Sequence, residues 1–291
     1  MQRRTLLKAL AAFLPAASLR GLNADAGARL RLITRGDDLG CARSLNRAMK
    51  ECFEKGILKN CSVLAPAPFI DEGARLLARH KALCFGLHCA LTSEWVSRRW
   101  GPVAPRERVS SLVDRQGYLH LTNEAARASA RSDEALVELQ AQLDKARRLG
   151  FDIKYADLHM NTVSLVPGLL EPWSAWCKSQ GLIAARAIGR RLPMPDSWNS
   201  PDRRIQGDYV EQLIAALKSA EPGDYLIVGH PGYLDSELRG LGHAGYPGEA
   251  VAHNLNWQRQ AFVDARVLRY CRQNDVQPVR YDEVASANGA S

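Results

Sequence analysis

Four places in the chain put an acid or an imidazole directly behind a short apolar run: Asp37-Asp38, His88, Asp157-Leu158-His159 and His230-Pro231. One carboxylate oxygen and two imidazole nitrogens suffice to hold Zn²⁺ or another divalent ion while leaving positions open to water. A bound ion lowers the pKa of such a water toward about 7. A second carboxylate beside it can take the proton, and a further histidine can protonate a leaving amine. Together these residue types can hydrolyse an amide. Taken singly, each has an ordinary structural use, because Asp caps helices and a lone His is often a satisfied core residue. Asp37 and Asp38 would point to opposite sides of an extended strand, so both serve one site only if the chain turns there. Gly36 and Gly40 flank the pair and permit such a turn. The competing use of the pair is as an N-cap, through Asp38, for the helix containing Leu45.

The elements that would carry these side chains alternate. Leu30–Thr34 reads as a strand, followed by Leu45, Ala48, Met49, Cys52 and Phe53 at helical spacing, with Gly56 as the stop. Further strands are expected at Cys61–Ala65, Leu83–Leu87, Ile153–Leu158, Leu182–Ala187, Tyr225–Val228 and Val279–Tyr281. Helices are expected around Ala74 and Leu77, from a Ser132/Asp133 cap through Leu149, across Val210–Leu217, and as one long element from about Trp257 to Gln273. Alternation of this kind implies a parallel sheet with helices outside it, an α/β class. Closed into a distorted, TIM-like (β/α) barrel, such a sheet turns all strand C-termini to one rim, where barrel active sites lie. Residues 93–131 break the rhythm, with Trp95, Trp100, Pro102, Pro105 and Gly117 and little periodicity. They are expected to form an insertion over the site.

The 291 residues, 46% hydrophobic and 24% charged, suit one soluble barrel domain of roughly 250 residues. The formal charge of +8 is partly N-terminal, in Arg3, Arg4, Lys8 and Arg20 against Asp25, so removing residues 1–26 leaves 8 − 4 + 1 = +5. That remainder is scattered with no basic stripe, which argues against nucleic acid as a partner. Residues 1–26 read as a signal peptide: Arg3-Arg4, an apolar stretch from Ala9 to Leu19, and small residues at Ala24-Asp25-Ala26. The paired arginines resemble a twin-arginine address, which predicts a periplasmic or secreted protein, with residues 27–291 as its barrel domain. The stretch is too short for stable membrane insertion. Seven cysteines form no C-x-x-C pair, and most are expected to be reduced and buried.

Gly36-Asp37-Asp38-Leu39-Gly40 with Ser44-Leu45-Asn46-Arg47-Ala48 resembles the opening A-D-D-F-G…N-x-A-I signature of the YdjC/ChbG carbohydrate-deacetylase family. Gly86-Leu87-His88 with Leu91-Thr92, Ser111-Leu112-Val113-Asp114 with Gly117-Tyr118, Asp157-Leu158-His159-Met160 and His230-Pro231-Gly232 resemble its later motifs, in order. The resemblance implies a distorted β/α barrel that removes acetyl groups from N-acetylated sugars with one divalent ion, Mg²⁺ or Zn²⁺. It implies Asp38, His88 and His159 as metal ligands, Asp37 as the base that activates water, and His230 as acid or transition-state stabiliser. Arg186, just past a strand, is a candidate for holding a substrate oxygen. The expected partner is the N-acetylated sugar, and a homodimer is compatible with the reading.

The chain departs from the family pattern at Leu39 for the usual Phe, at Arg35-Gly36 for a small apolar lead-in, and at Tyr155-Ala156 where Thr-His is frequent. Trp95 and Trp100, in the insertion, are candidates for a substrate wall, whereas Trp173 and Trp176 are read as packing. Rival readings are a non-haem iron oxygenase, which the strand–helix alternation disfavours, and another metal hydrolase such as a phosphodiesterase. The latter more often needs two metals and more ligands than the motifs supply. A sugar-binding protein without catalysis would carry a damaged site, yet every expected acid and imidazole is present.

Overall fold

Strand β1 (Leu30–Leu39) sorts its side chains by alternation, and that sorting organises the molecule. Ile33 packs in the barrel interior with Tyr155, Leu226, Val228, Val279 and Tyr281, while Leu32 joins the core between sheet and helices. Arg35 and Asp37 share the parity of Ile33 and so carry polar chemistry into the interior above that plug. The computed structural model describes residues 30–199, 208–242 and 245–287. The expected signal peptide at 1–26 lies outside the described residues.

The other strands are β2 (Asn60–Val63), β3 (Cys84–Cys89), β4 (Ile153–Leu158), β5 (Ile183–Ala184), β6 (Arg190–Arg191), β7 (Gly223–Gly229) and β8 (Val276–Val279). They form one curled sheet in the order β5-β4-β3-β2-β1-β7-β6, and every pairing is parallel. β8 pairs with the first half of β1, on the edge that β2 occupies further along. Asn60 seals that junction: its amide donates to Thr34 and Val279 carbonyls, each at 3.0 Å, and accepts from Tyr281 N–H at 2.9 Å. The sheet's two outer strands are consecutive in the chain. β5 pairs with β4 and β6 with β7, so the short segment 183–191 bridges the open seam and obliges the sheet to curl. The result is a half-open, TIM-like (β/α) barrel.

Helices α1 (Arg43–Lys55), α2 (Ile70–Leu77), α3 (Asn123–Ser129), α4 (Ser132–Arg148), α5 (Thr162–Leu165) and α6 (Leu170–Ser179) follow the first four strands. The remainder are α7 (Tyr209–Ser219), α8 (Ser236–Arg239), α9 (Gly248–Val263), α10 (Ala265–Gln273) and α11 (Tyr281–Ala287). The single helix expected over 257–273 is two, because the chain leaves helical geometry at Asp264, whose side chain caps α10 by accepting Arg266 N–H at 2.7 Å. Ser132 and Asp133 lie inside α4 and do not cap it; Ser132 Oγ instead donates to Pro167 O. The strand expected over 182–187 stops at Ala184 and gives way to a tight turn. Gly86 is required where it stands: a Cβ there would meet the Tyr155 ring at 2.1 Å.

The expected insertion folds onto the barrel. Isolated bridges join Thr92 to His120 and Val113 to Leu119. Glu138 of α4, fully buried, accepts the N–H groups of Val103 at 2.9 Å and Ala104 at 2.8 Å. Val96 N–H reaches Gly242 O at 3.1 Å, tying the insertion to the loop after α8. All seven cysteines are buried and free. Among the described residues, no helix is long and apolar enough to cross a membrane.

Candidate active site

The turn that Asp37 and Asp38 need is present. The β1–β2 register slips between Gly36 and Leu39, and Asp38 takes φ 68°, the left-handed region that Asp tolerates better than most side chains. Neighbouring carboxylates thereby line the same cavity. Asp38 is not the N-cap of α1. Glu237, from α8, covers that helix end, accepting Ser44 N–H at 2.8 Å and Arg43 N–H at 3.3 Å.

His88, on β3, and His159, just past β4, meet Asp38 from the neighbouring side of the sheet. Asp38 Oδ1 stands 3.2 Å from His88 Nε2 and 3.3 Å from His159 Nδ1. The two rings are edge to face, with centroids 4.9 Å apart. All three residues are buried. Despite the short distances, Asp38 Oδ1 has no aligned hydrogen-bond donor among the described residues. An oxygen and two nitrogens thus converge at close range without an aligned hydrogen bond, a convergence that a bound cation would complete. The donor set, one carboxylate and two imidazoles, fits a divalent ion such as Zn²⁺ or Mg²⁺, with Zn²⁺ better suited to the nitrogens.

Each imidazole is oriented by a carboxylate on its outward nitrogen. His88 Nδ1 lies 2.8 Å from Asp157 Oδ2, and His159 Nε2 lies 2.9 Å from Glu94 Oε2. The two rings therefore present opposite nitrogens to Asp38. Burial alone would depress both imidazoles, but the flanking carboxylates outweigh it. Asp157 and Asp37 hold His88 well above its ordinary value, and Glu94 and Asp38 lift His159 to about 9. Against the upward pull of burial, the imidazoles of His159 and His88 keep Asp38 well below the usual carboxylate range.

Asp37 is held differently. Arg35, itself buried, donates to both its oxygens, Nε at 2.6 Å and Nη2 at 2.8 Å, and Nη2 also lies 3.1 Å from Asp157 Oδ2. Arg35 Nη1 donates to Tyr281 Oη at 3.2 Å. Burial would raise the Asp37 carboxyl, yet the charges of Arg35, His88 and His230 keep it below its ordinary range.

His230 follows β7 and lines the same cavity, half-buried, its backbone N–H held by Gln258 Oε1 at 2.5 Å. Trp95 is buried in the wall, and Arg186 is exposed at the mouth, on the seam-bridging segment. Trp100 does not line the cavity. It is buried behind His159, with ring centroids 6.0 Å apart, and its indole N–H donates to Thr92 O at 3.0 Å; its flanks are spent on packing. The cavity measures about 860 Å³.

This rim of acids and imidazoles follows an order along the chain that the YdjC-like protein family matches over residues 31–276. The chain belongs to that family. It is 26% identical over 258 residues to a carbohydrate deacetylase of Thermoanaerobacter pseudethanolicus, covering 86% of this chain and 97% of that protein. It is 32% identical over 238 residues to a carbohydrate deacetylase of Thermus thermophilus, covering 74% and 82%. A chitooligosaccharide deacetylase of Proteus mirabilis is 27% identical over 228 residues, covering 73% and 85%. A crystal structure from Enterococcus faecalis V583, of a candidate cellobiose-phosphate cleavage protein, shares the fold with TM-score 0.72 at 20% identity, over 88% of this chain and 98% of that one.

Sequence reasoning gave no role to Arg35, Glu94 or Asp157. Two of them had a usable signal: Arg35 precedes Asp37 by two residues on one strand, and Asp157 lies within the last two residues of a strand that runs into His159. Glu94 had none, since only the fold of the insertion brings it to His159.

Proposed function

We propose that this protein is a metal-dependent carbohydrate deacetylase, hydrolysing the acetamide of N-acetylated sugars to acetate and a free amine. The observation that carries the reading is the buried convergence of Asp38, His88 and His159 around an oxygen that lacks an aligned donor, beside a carboxylate held out of that set. Family membership and the names of the relatives support the substrate class.

Asp38 Oδ1, His88 Nε2 and His159 Nδ1 would hold one divalent ion. When bound, that ion supplies Lewis acidity and brings the pKa of water toward neutrality. Asp37 takes the proton from the attacking water. Its two bonds from Arg35 keep it from swinging into the ligand set. His230, just past β7 at the same rim, gives a proton to the departing nitrogen, and Gln258 fixes the backbone from which it projects. Trp95 offers an apolar wall to the sugar, and Arg186 a donor to one of its oxygens at the mouth. The twin-arginine-like segment supports export from the cytoplasm, which fractionation with detection of the cleaved N-terminus would check.

The decisive measurement is acetate release from N-acetylated chito-oligosaccharides by protein stripped with a chelator and reloaded with Zn²⁺ or Mg²⁺. Activity that returns with the ion supports the reading; turnover indifferent to chelation removes the metal from it.

A further inference from the structure

The three metal-ligand candidates are not the only set that could hold a cation. Asp37, His88 and Asp157 also bring ligand atoms within 4.8 Å of one another, all buried. The two sets share His88, which offers Nε2 to one and Nδ1 to the other. The second set even has a buried oxygen without a hydrogen-bond partner among the described residues, Asp157 Oδ1, in a residue only 2% exposed. By ligand type alone, the second set, with two carboxylates, is the more anionic.

One difference separates them. The guanidinium of Arg35 already bonds both carboxylates of the second set, at 2.6 and 2.8 Å to Asp37 and 3.1 Å to Asp157. Tyr281 Oη, at 3.2 Å from Nη1, and the ring of Tyr155 behind it hold the guanidinium in place. Asp38 meets no guanidinium; its neighbours at 3.2 and 3.3 Å are the imidazoles of His88 and His159, the same two rings that would ligate the ion. The first set has an acid without an aligned donor, whereas the second set has its cation built into the chain.

We propose that Arg35 acts as a resident cation that denies a metal ion the Asp37–His88–Asp157 position and so confines the centre to one ion at Asp38–His88–His159. The proposal rests on the metal-dependent reading above and extends it. Arg35 is a positioning residue: it keeps Asp37 out of metal ligation and leaves His88 Nε2 for the ion. Replacing it with an apolar side chain of similar length would strand two buried carboxylates, which then demand a cation from solution.

The test is Mn²⁺ binding to the full-length protein, followed by calorimetry and by electron paramagnetic resonance, with Asp38→Asn leaving the second set whole. Wild type should bind one ion per chain even in large excess. Asp38→Asn should bind more than roughly a hundredfold more weakly, beyond what losing an outer hydrogen bond does. Arg35→Met/Asp38→Asn should recover at least roughly tenfold of that loss, and Arg35→Lys/Asp38→Asn should not. Two ions in the wild type, or a tight ion retained by Asp38→Asn with Arg35 in place, overturns the proposal, and neither result depends on an Arg35 variant folding. A double variant that melts like Asp38→Asn but binds no better also overturns it. A wild type that binds no Mn²⁺ at all instead removes the metal reading on which the proposal stands.

Discussion

Glu94 reaches from the insertion to the outward nitrogen of His159, Oε2 to Nε2 at 2.9 Å, with both side chains buried. The bond sets the rotation of the ring and directs Nδ1 at Asp38. Outer carboxylates of this kind typically change metal affinity by about 10- to 100-fold. Glu94→Ala should weaken binding within that range, and Glu94→Gln, which can still accept from the ring, should lose less. Calorimetric titration with Zn²⁺ checks this, and equal affinity in Glu94→Ala would remove the assigned role.

Asp37 and the ligands should separate in their effects. Asp37→Asn removes a proton acceptor and leaves Asp38, His88 and His159 in place. It should keep the ion while kcat falls by about 10²- to 10⁴-fold. His88→Ala or His159→Ala should lose ion and activity together. Metal content and initial rates on the same preparations distinguish the two patterns.

The ion must compete with protons. Without metal, Glu94 and Asp38 lift His159 to about 9 against the effect of burial, and the flanking acids raise His88 as well. An ion entering the site must therefore displace protons from the imidazoles, and filling the site should release at least one. Calorimetry in buffers of different ionisation enthalpy measures that number. Affinity should climb as pH rises toward 9. The stability of the metal-free protein has the opposite sign. A histidine raised from 6.5 to about 9 adds stability that is complete below 6.5 and is lost as pH passes through about 9. Metal-free protein should therefore melt lower at pH 9.5 than at pH 6.5.

Glu138 fastens the insertion to α4 by accepting two backbone N–H groups, from Val103 and Ala104. Glu138→Ala strands both, at about 1–3 kcal/mol for each buried donor. Glu138→Gln keeps one acceptor oxygen and should cost roughly half as much. Urea unfolding provides the comparison. Equal stability of all three proteins would show that these bonds do not hold the insertion.

What the sequence determined by itself was periodicity and punctuation. Alternating strand and helix patterns implied the parallel sheet, and each polar ending on a greasy run was visible because strand C-termini share a rim. Asp37, Asp38, His88, His159 and His230 were legible for that reason, as was the need for a turn between the two aspartates. The tertiary structure decided what those residues do to one another. The left-handed φ at Asp38 and the slipped register place two adjacent acids in one cavity. The break at Asp264 and the seam-bridging segment 183–191 depend on packing partners far along the chain. Glu94 comes to His159 across 65 positions, and Trp100 turns its flanks to packing behind that ring. Local pattern reports which face a side chain occupies. Which neighbour it meets there, and whether a charge finds Arg35 or is left without an aligned donor, is settled only when distant strands close around a common interior.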